Sequence, residues 1–263
     1  MHAKEFVDTN KYPIDRLPDE GCLASLADWQ LSYVGKGVCV LKRFIRSESM
    51  AQFIAEANEL APLGYHNILT GNAYLEDIDE SWPSKHARRL TETTSLAAVA
   101  GDLFPVNSAI RTLYEWDTLT ELIRLITGLD QLHRYECPLG RLNLSVMRQG
   151  DYLRWHFDQS DFVVSIPLQE ADSGGTFEFS HNIRGPETEN YDRVAAVLQG
   201  GRSEVEALEA PPGSLILFKG KHTLHRVTRI EGDKPRIYAL LGYARQPNVQ
   251  GSDYLNRIRY GRS

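Results

Sequence analysis

The sequence predicts a mainly β fold with helical additions, and three observations carry the prediction. From Leu142 onward, short apolar segments alternate with turns built on Gly, Pro, Asp and Ser. Segments of that length and spacing indicate a sandwich or a barrel. Upstream, two stretches repeat apolar residues at helical spacing, which places helices beside the β-rich half. Finally, 263 residues with 42% apolar and 24% charged content are enough for a sizeable core. We expect a single domain over 1–263, with an N-terminal arm (1–30), a helical and lid half (31–135), a β core (136–246) and a C-terminal tail (247–263).

Residues 1–30 are polar and punctuated by Pro13 and Pro18, as in an arm lying over the fold. Gly37-Val38-Cys39-Val40-Leu41 is β-branched and apolar and reads as a strand. Ser47 follows as a candidate cap for a helix whose Met50, Phe53, Ile54, Ala57 and Leu60 share one face. Residues 64–105 lose periodicity and carry several Gly and Pro, together with the basic run Lys85-His86-Ala87-Arg88-Arg89. A stretch of that length predicts a functional lid or a mobile insertion. Leu119, Leu122, Ile123 and Ile126 mark a second helix over about 116–127, its apolar face turned to the core. Strands are then expected at 144–147, 152–157, 162–168, 176–179, 205–208, 215–218 and 237–243, interrupted by a helix over 191–198.

Composition excludes several classes. Apolar runs such as Ser214–Phe218 stop far short of the roughly 20 residues needed to cross a bilayer. The first residues mix charges and show no signal-peptide pattern, so the expected location is the cytoplasm. Cys22, Cys39 and Cys137 are odd in number and lack CxxC spacing, which suggests reduced core thiols. With 29 basic and 35 acidic side chains and no Lys/Arg block interleaved with aromatics, nucleic acid is an unexpected partner. A homodimer is one assembly the sequence allows.

The chemistry concentrates in the β-rich half. In Trp155-His156-Phe157-Asp158, a strand would turn His156 and Asp158 to the same side. His222 or His225 supplies a second imidazole. Two neutral nitrogens and one carboxylate on one face of an octahedron suit non-haem Fe(II), leaving positions for substrate and O2. Arg236 heads an apolar strand eleven residues beyond His225. A guanidinium buried there needs a carboxylate partner, and a dicarboxylate co-substrate provides one.

His156-Phe157-Asp158, Ser173-Gly174-Gly175-Thr176-Phe177-Glu178-Phe179, Gly213–Phe218, His225 and Arg236 together resemble the Fe(II)/2-oxoglutarate-dependent oxygenases in order and spacing. The resemblance covers roughly 135–245. Within that family, Arg134-Tyr135-Glu136-Cys137 and Trp155–Asp161 are most similar to the small bacterial enzymes that act on free amino acids, a group that includes the free-lysine radical halogenases and their hydroxylase relatives. The resemblance implies a double-stranded β-helix, a jelly-roll or cupin-like barrel. It also implies iron on His156, Asp158 and His225 and the distal carboxylate of 2-oxoglutarate on Arg236, with O2 as oxidant. It favours His225 over His222, which is left near the site or at the surface, and His181 is expected to serve a loop.

In the halogenases of that family the carboxylate ligand is replaced by Gly or Ala, which makes room for chloride; here Asp158 holds the place. Hydroxylation of an unactivated C–H bond is therefore the expected reaction, with ring closure or desaturation as the alternative. A free amino acid would need a cation and an acid, and Lys85, Arg88 and Arg89, with Glu136 and Asp161, are the candidates. Trp155 is expected in the core, and Trp82 and Tyr74 over an aliphatic part of the substrate. Two readings compete: a non-catalytic cupin-like binding module, and an oxygenase acting on a protein or carrier-bound side chain.

Overall fold

The structure, a computed structural model, describes residues 2–17 and 19–263, without the side chains of 20–24. Pro18 and the thiol of Cys22 thus lie outside the described residues, whereas Cys39 and Cys137 are free and buried. The first half supplies helices α1 (Glu20–Lys36), α2 (Ser47–Leu60), α3 (Ala109–Tyr114) and α4 (Asp117–Thr127). It also supplies strands β1 (Val38–Leu41), β2 (Tyr65–Asn72) and β3 (Thr91–Val99). The second half adds β4 (Leu142–Met147), β5 (Leu153–His156), β6 (Val163–Gln169) and β7 (Phe177–Ser180), then β8 (Leu215–Phe218), β9 (Leu224–Val227) and β10 (Arg236–Leu241). Helices α5 (Tyr191–Leu198) and α6 (Asp253–Tyr260) complete it.

A major sheet runs β1-β8-β6-β10-β4-β3-β2, and a minor sheet joins residues 206–207 to β7, β9 and β5. Alternation along the strands explains how the layers meet. In β8, Leu215 and Leu217 pack with α2, α3 and α4 residues such as Phe53, Leu113 and Ile123, while Ile216 and Phe218 join Val38, Tyr238 and Phe179 of the minor sheet. The helices therefore cover one face of the major sheet and the minor sheet covers the other. A further cluster, with Trp155, Phe157, Leu224, Val194 and Val197, seats α5 on the outside of the minor sheet. Trp155 is core, as expected.

Several expectations are corrected. The N-terminal arm contributes Phe6, Val7, Tyr12 and Ile14 to the main core, and α1 begins at Glu20. Arg46 takes the N-cap of α2; Ser47 is its first helical residue and donates to Glu48. Residues 64–105 hold the β2/β3 hairpin, which extends the major sheet, so the irregular segment shrinks to 73–90. The hairpin escapes a period-2 search because much of β2 is exposed on both faces. The expected tail contains α6, capped by Ser252 and laid against the hairpin through Asn67, which donates to Ile258. Its residues are too polar to reveal it by apolar periodicity.

The hairpin also joins the two sheets. Ser95 on β3 and Tyr152, just before β5, exchange backbone hydrogen bonds of 2.8 and 3.1 Å. Beyond them, β5 carries one residue more than β9 between the pairs Leu153–Val227 and His156–His225. Such a bulge bends a strand and re-aims its side chains.

Candidate active site

His156 and His225 are cross-strand partners on β5 and β9, with ring centroids 4.1 Å apart. Asp158 lies just beyond β5, where its backbone N–H donates to Gly220 across 3.0 Å. Its carboxylate comes 3.5 Å from Nε2 of His156 and 3.4 Å from Nε2 of His225. One ligand atom from each of the three lies within 4.8 Å of the others. The expected preference for His225 over His222 matches this geometry.

The donor set fits a metal. Each imidazole donates through Nδ1 to a backbone carbonyl, His156 to Arg154 and His225 to Thr223, both at 2.9 Å, when written as the Nδ1–H tautomer. That arrangement turns both Nε2 lone pairs toward Asp158, the usual support for a ligating histidine. Burial, reinforced by His156, lowers the His225 pKa to about 4, so the ring is neutral near pH 7. Burial alone would raise the Asp158 carboxyl, but His225 and His156, with Arg259 of α6, hold it at about 2. Its Oδ2 is buried and without a hydrogen bond, a state that a bound cation would relieve.

Arg236 opens β10 and is 3% exposed, its guanidinium 3.4 Å over the Tyr238 ring. Its Nε has no hydrogen-bond partner, and no carboxylate among the described residues forms an ion pair with it. Burying such a charge costs several kcal/mol unless an anion meets it. The Gly174-Gly175 turn makes room beside it. Both glycines have positive φ, +69° and +66°, and a Cβ on Gly175 would stand 3.0 Å from Cδ of Arg236.

The remaining candidates are held elsewhere. Arg88 pairs with Glu76 at 2.6 Å and lies over Tyr74 and Tyr191, while Arg89 donates to the carbonyls of Glu80 and Trp82. Both brace the 73–90 segment. Asp161 pairs with Arg245 at 2.9 Å and with Lys221 at 3.4 Å. Glu136 is exposed in a shallow cleft with Asp117, Thr120 and His133, and Lys85 is exposed in the loop. The aromatic cover expected from Tyr74 and Trp82 is corrected: Tyr74 packs on Phe157 outside the minor sheet, and Trp82 stacks on His86. His222 lies outside the three-residue group, and His181 meets Glu206 near the surface.

Sequence reasoning missed Arg154. This buried side chain donates through Nη1 to Thr94 at 3.0 Å and to the Leu69 carbonyl at 3.4 Å, so it lies against the hairpin. Burial pushes its pKa below the usual arginine range. The available signal was a lone cation inside the apolar strand that leads to His156.

Taken together, the packed antiparallel sheets and the His-Asp-His group give the chain the fold of the 2-oxoglutarate/Fe(II) oxygenases. Solved structures bear this out. An oxidoreductase of the 2OG-Fe(II) oxygenase family from Burkholderia pseudomallei superposes with a TM-score of 0.54 at 15% identity, covering 85% of this chain and 92% of that one. AviO1 from Streptomyces viridochromogenes Tue57 gives a TM-score of 0.58 at 14% identity, with 86% and 97% covered. HygX from Streptomyces hygroscopicus, with nickel and 2-oxoglutarate bound, gives 0.54 at 14%, with 82% and 86% covered. No curated protein matches the chain in sequence. The family is settled by a family model, HalD (Halogenase D), that matches residues 24–254: the chain belongs to that family. No helix among the described residues is long and apolar enough to cross a membrane.

Proposed function

We propose that the protein is an Fe(II)- and 2-oxoglutarate-dependent oxygenase that hydroxylates an unactivated C–H bond of a free amino acid or a molecule derived from one, in the cytoplasm. The observation that carries the reading is Asp158 set between the Nε2 atoms of His156 and His225, its Oδ2 otherwise orphaned. These three would hold iron and Arg236 the far carboxylate of 2-oxoglutarate. When bound, the iron would couple decarboxylation of 2-oxoglutarate by O2 to oxidation of the substrate.

The chain's own part is positional. The Arg154 and Thr223 carbonyls orient the two rings, and Phe177 and Phe218, 5.5 and 4.8 Å from His225, keep water from that side. Arg236 fixes one end of the co-substrate through charge-assisted hydrogen bonds. The membership in a halogenase family makes the outcome the sharpest question. Asp158 fills with a carboxylate the place that chloride needs, which favours oxygen insertion. A merely metal-binding barrel has no use for a buried, unpaired Arg236.

The test is anaerobic addition of Fe(II), 2-oxoglutarate and a panel of free amino acids in chloride buffer, then O2 and product mass. A gain of one oxygen supports the reading, and a loss of two hydrogens indicates ring closure or desaturation. A chlorinated product would remove Asp158 from the ligand set.

A further inference from the structure

A second buried arginine, two residues before His156 in the chain, forms no ion pair among the described residues. This residue, Arg154, is 8% exposed and sits within the bulge of β5. Its guanidinium reaches over β3 to β2, where Gly71 leaves it room: a Cβ there would stand 2.9 Å from Nη2. Thr94 and the Leu69 carbonyl take up Nη1 alone. Nε is buried and unpartnered, and Nη2 has no hydrogen bond among the described residues. Glu92, the acid whose charge Arg154 feels, lies 3.4 Å from the backbone N–H of Trp155 and forms no ion pair with the guanidinium.

The unused edge has a specific chemistry. In arginine, Nε–H and one Nη2–H point the same way and match the two oxygens of a carboxylate. Elsewhere in this chain the same edge is used so: Arg124 donates through Nε and Nη2 to the two oxygens of Glu121, both at 2.7 Å. At Arg154 no carboxylate among the described residues fills that edge. The oxygenase reading supplies one anion, 2-oxoglutarate, and Arg236 accounts for it. A second buried, unpaired guanidinium calls for a second anion.

We infer that Arg154 receives the carboxylate of the substrate through its Nε and Nη2 edge, so that the bulge of β5 and the inner side of the β2/β3 hairpin form the substrate wall and the substrate is a carboxylic acid. This inference rests on the oxygenase reading and narrows it. Arg154 is then a specificity-determining residue, attached to the same strand as His156, so that one backbone segment sets both the metal and the anchor of the substrate. Exposed Arg259 on α6, close enough to bias Asp158 and free of any ion pair among the described residues, adds positive potential at that wall.

The test uses anaerobic protein carrying Fe(II) and 2-oxoglutarate, titrated with each common L-amino acid. The readout is the absorption band of the iron and keto acid. Every amino acid that perturbs the band is then compared with its carboxamide. We expect at least one acid to bind, its carboxamide to bind about 30-fold more weakly or worse, and Arg154→Leu to show a similar loss for the acid. The variant's affinity for 2-oxoglutarate should stay within about threefold, and Arg154→Lys, a charge without the fork, should recover only part of the loss. If the variant does not fold, the comparison of acid with carboxamide on the natural chain decides. Equal binding of acid and carboxamide, a loss of 2-oxoglutarate instead of amino acid, or a normal band that no amino acid perturbs would overturn the assignment while leaving the oxygenase reading intact. Absence of the band itself would instead sink that reading, and this one with it.

Discussion

The carboxylate of Asp158 fills the space that a side chain at position 220 would need. A Cβ built on Gly220 would collide with its Oδ2 and Cγ, while the Gly220 carbonyl accepts the Asp158 N–H at 3.0 Å. Backbone contact on one side and the two histidines on the other fix where the carboxylate can point. Gly220→Ala should therefore displace Asp158 and weaken Fe(II) or Co(II) binding by about tenfold or more, the usual scale for losing a ligand's support. Metal titration of the purified variant measures it. An unchanged affinity would mean that Asp158 is not held by this contact.

The two histidines of the 222–225 segment should separate cleanly. His225→Ala is expected to abolish metal binding and Fe(II)-dependent succinate formation. His222→Ala should keep most of both, since its ring stands outside the three-residue group. The reverse pattern would reassign the distal ligand.

Arg236→Leu removes a buried cation from the place proposed for 2-oxoglutarate and strands the incoming carboxylate. By analogy with broken buried pairs the cost is about 3 to 5 kcal/mol, or two or more orders of magnitude in affinity. Titration of the Fe(II)-loaded variant with 2-oxoglutarate reads this directly, and equal affinity would move the co-substrate elsewhere.

Glu178 gives a pH-dependent contribution to stability. Burial raises its pKa, but hydrogen bonds and charge from Arg202 and Arg226 outweigh burial and lower it from 4.5. A lowered folded-state value means that the stabilisation is present above the unfolded carboxylate range and is lost as pH falls through the folded value. Glu178→Gln should thus melt below the natural chain at pH 7, and the two should converge in acid. A constant gap across that range would show that Glu178 does not titrate with folding.

The β core was legible because its strands alternate between two apolar layers, as at Leu215–Phe218. The helix at 117–127 was legible for the same reason, with a single buried stripe. His156 and Asp158 could be proposed from strand spacing, whereas spacing left His222 and His225 both open and the family resemblance chose His225, which the structure pairs with His156 across neighbouring strands. β2 and α6 left no such pattern, because β2 is exposed along most of its length and α6 buries only Asn256 and Tyr260. Arg154 left only the faint signal of a lone cation in an apolar strand, because what marks it is the absence of a partner, and absence is a property of three-dimensional surroundings.

Both histidines stand on the minor sheet, and Arg236 stands on the major one. Between the sheets lies a filling of rings: Phe177 and Phe179 meet Phe218 edge-on at 5.1 and 6.1 Å, and Tyr238 underlies the guanidinium. On the proposed reading, a keto acid that touches metal and arginine at once must span that filling. The aromatic layer then acts as a ruler for the co-substrate, tuned to one chain length among the keto diacids, and thinning it would change which acid the protein consumes without altering a single residue that binds one.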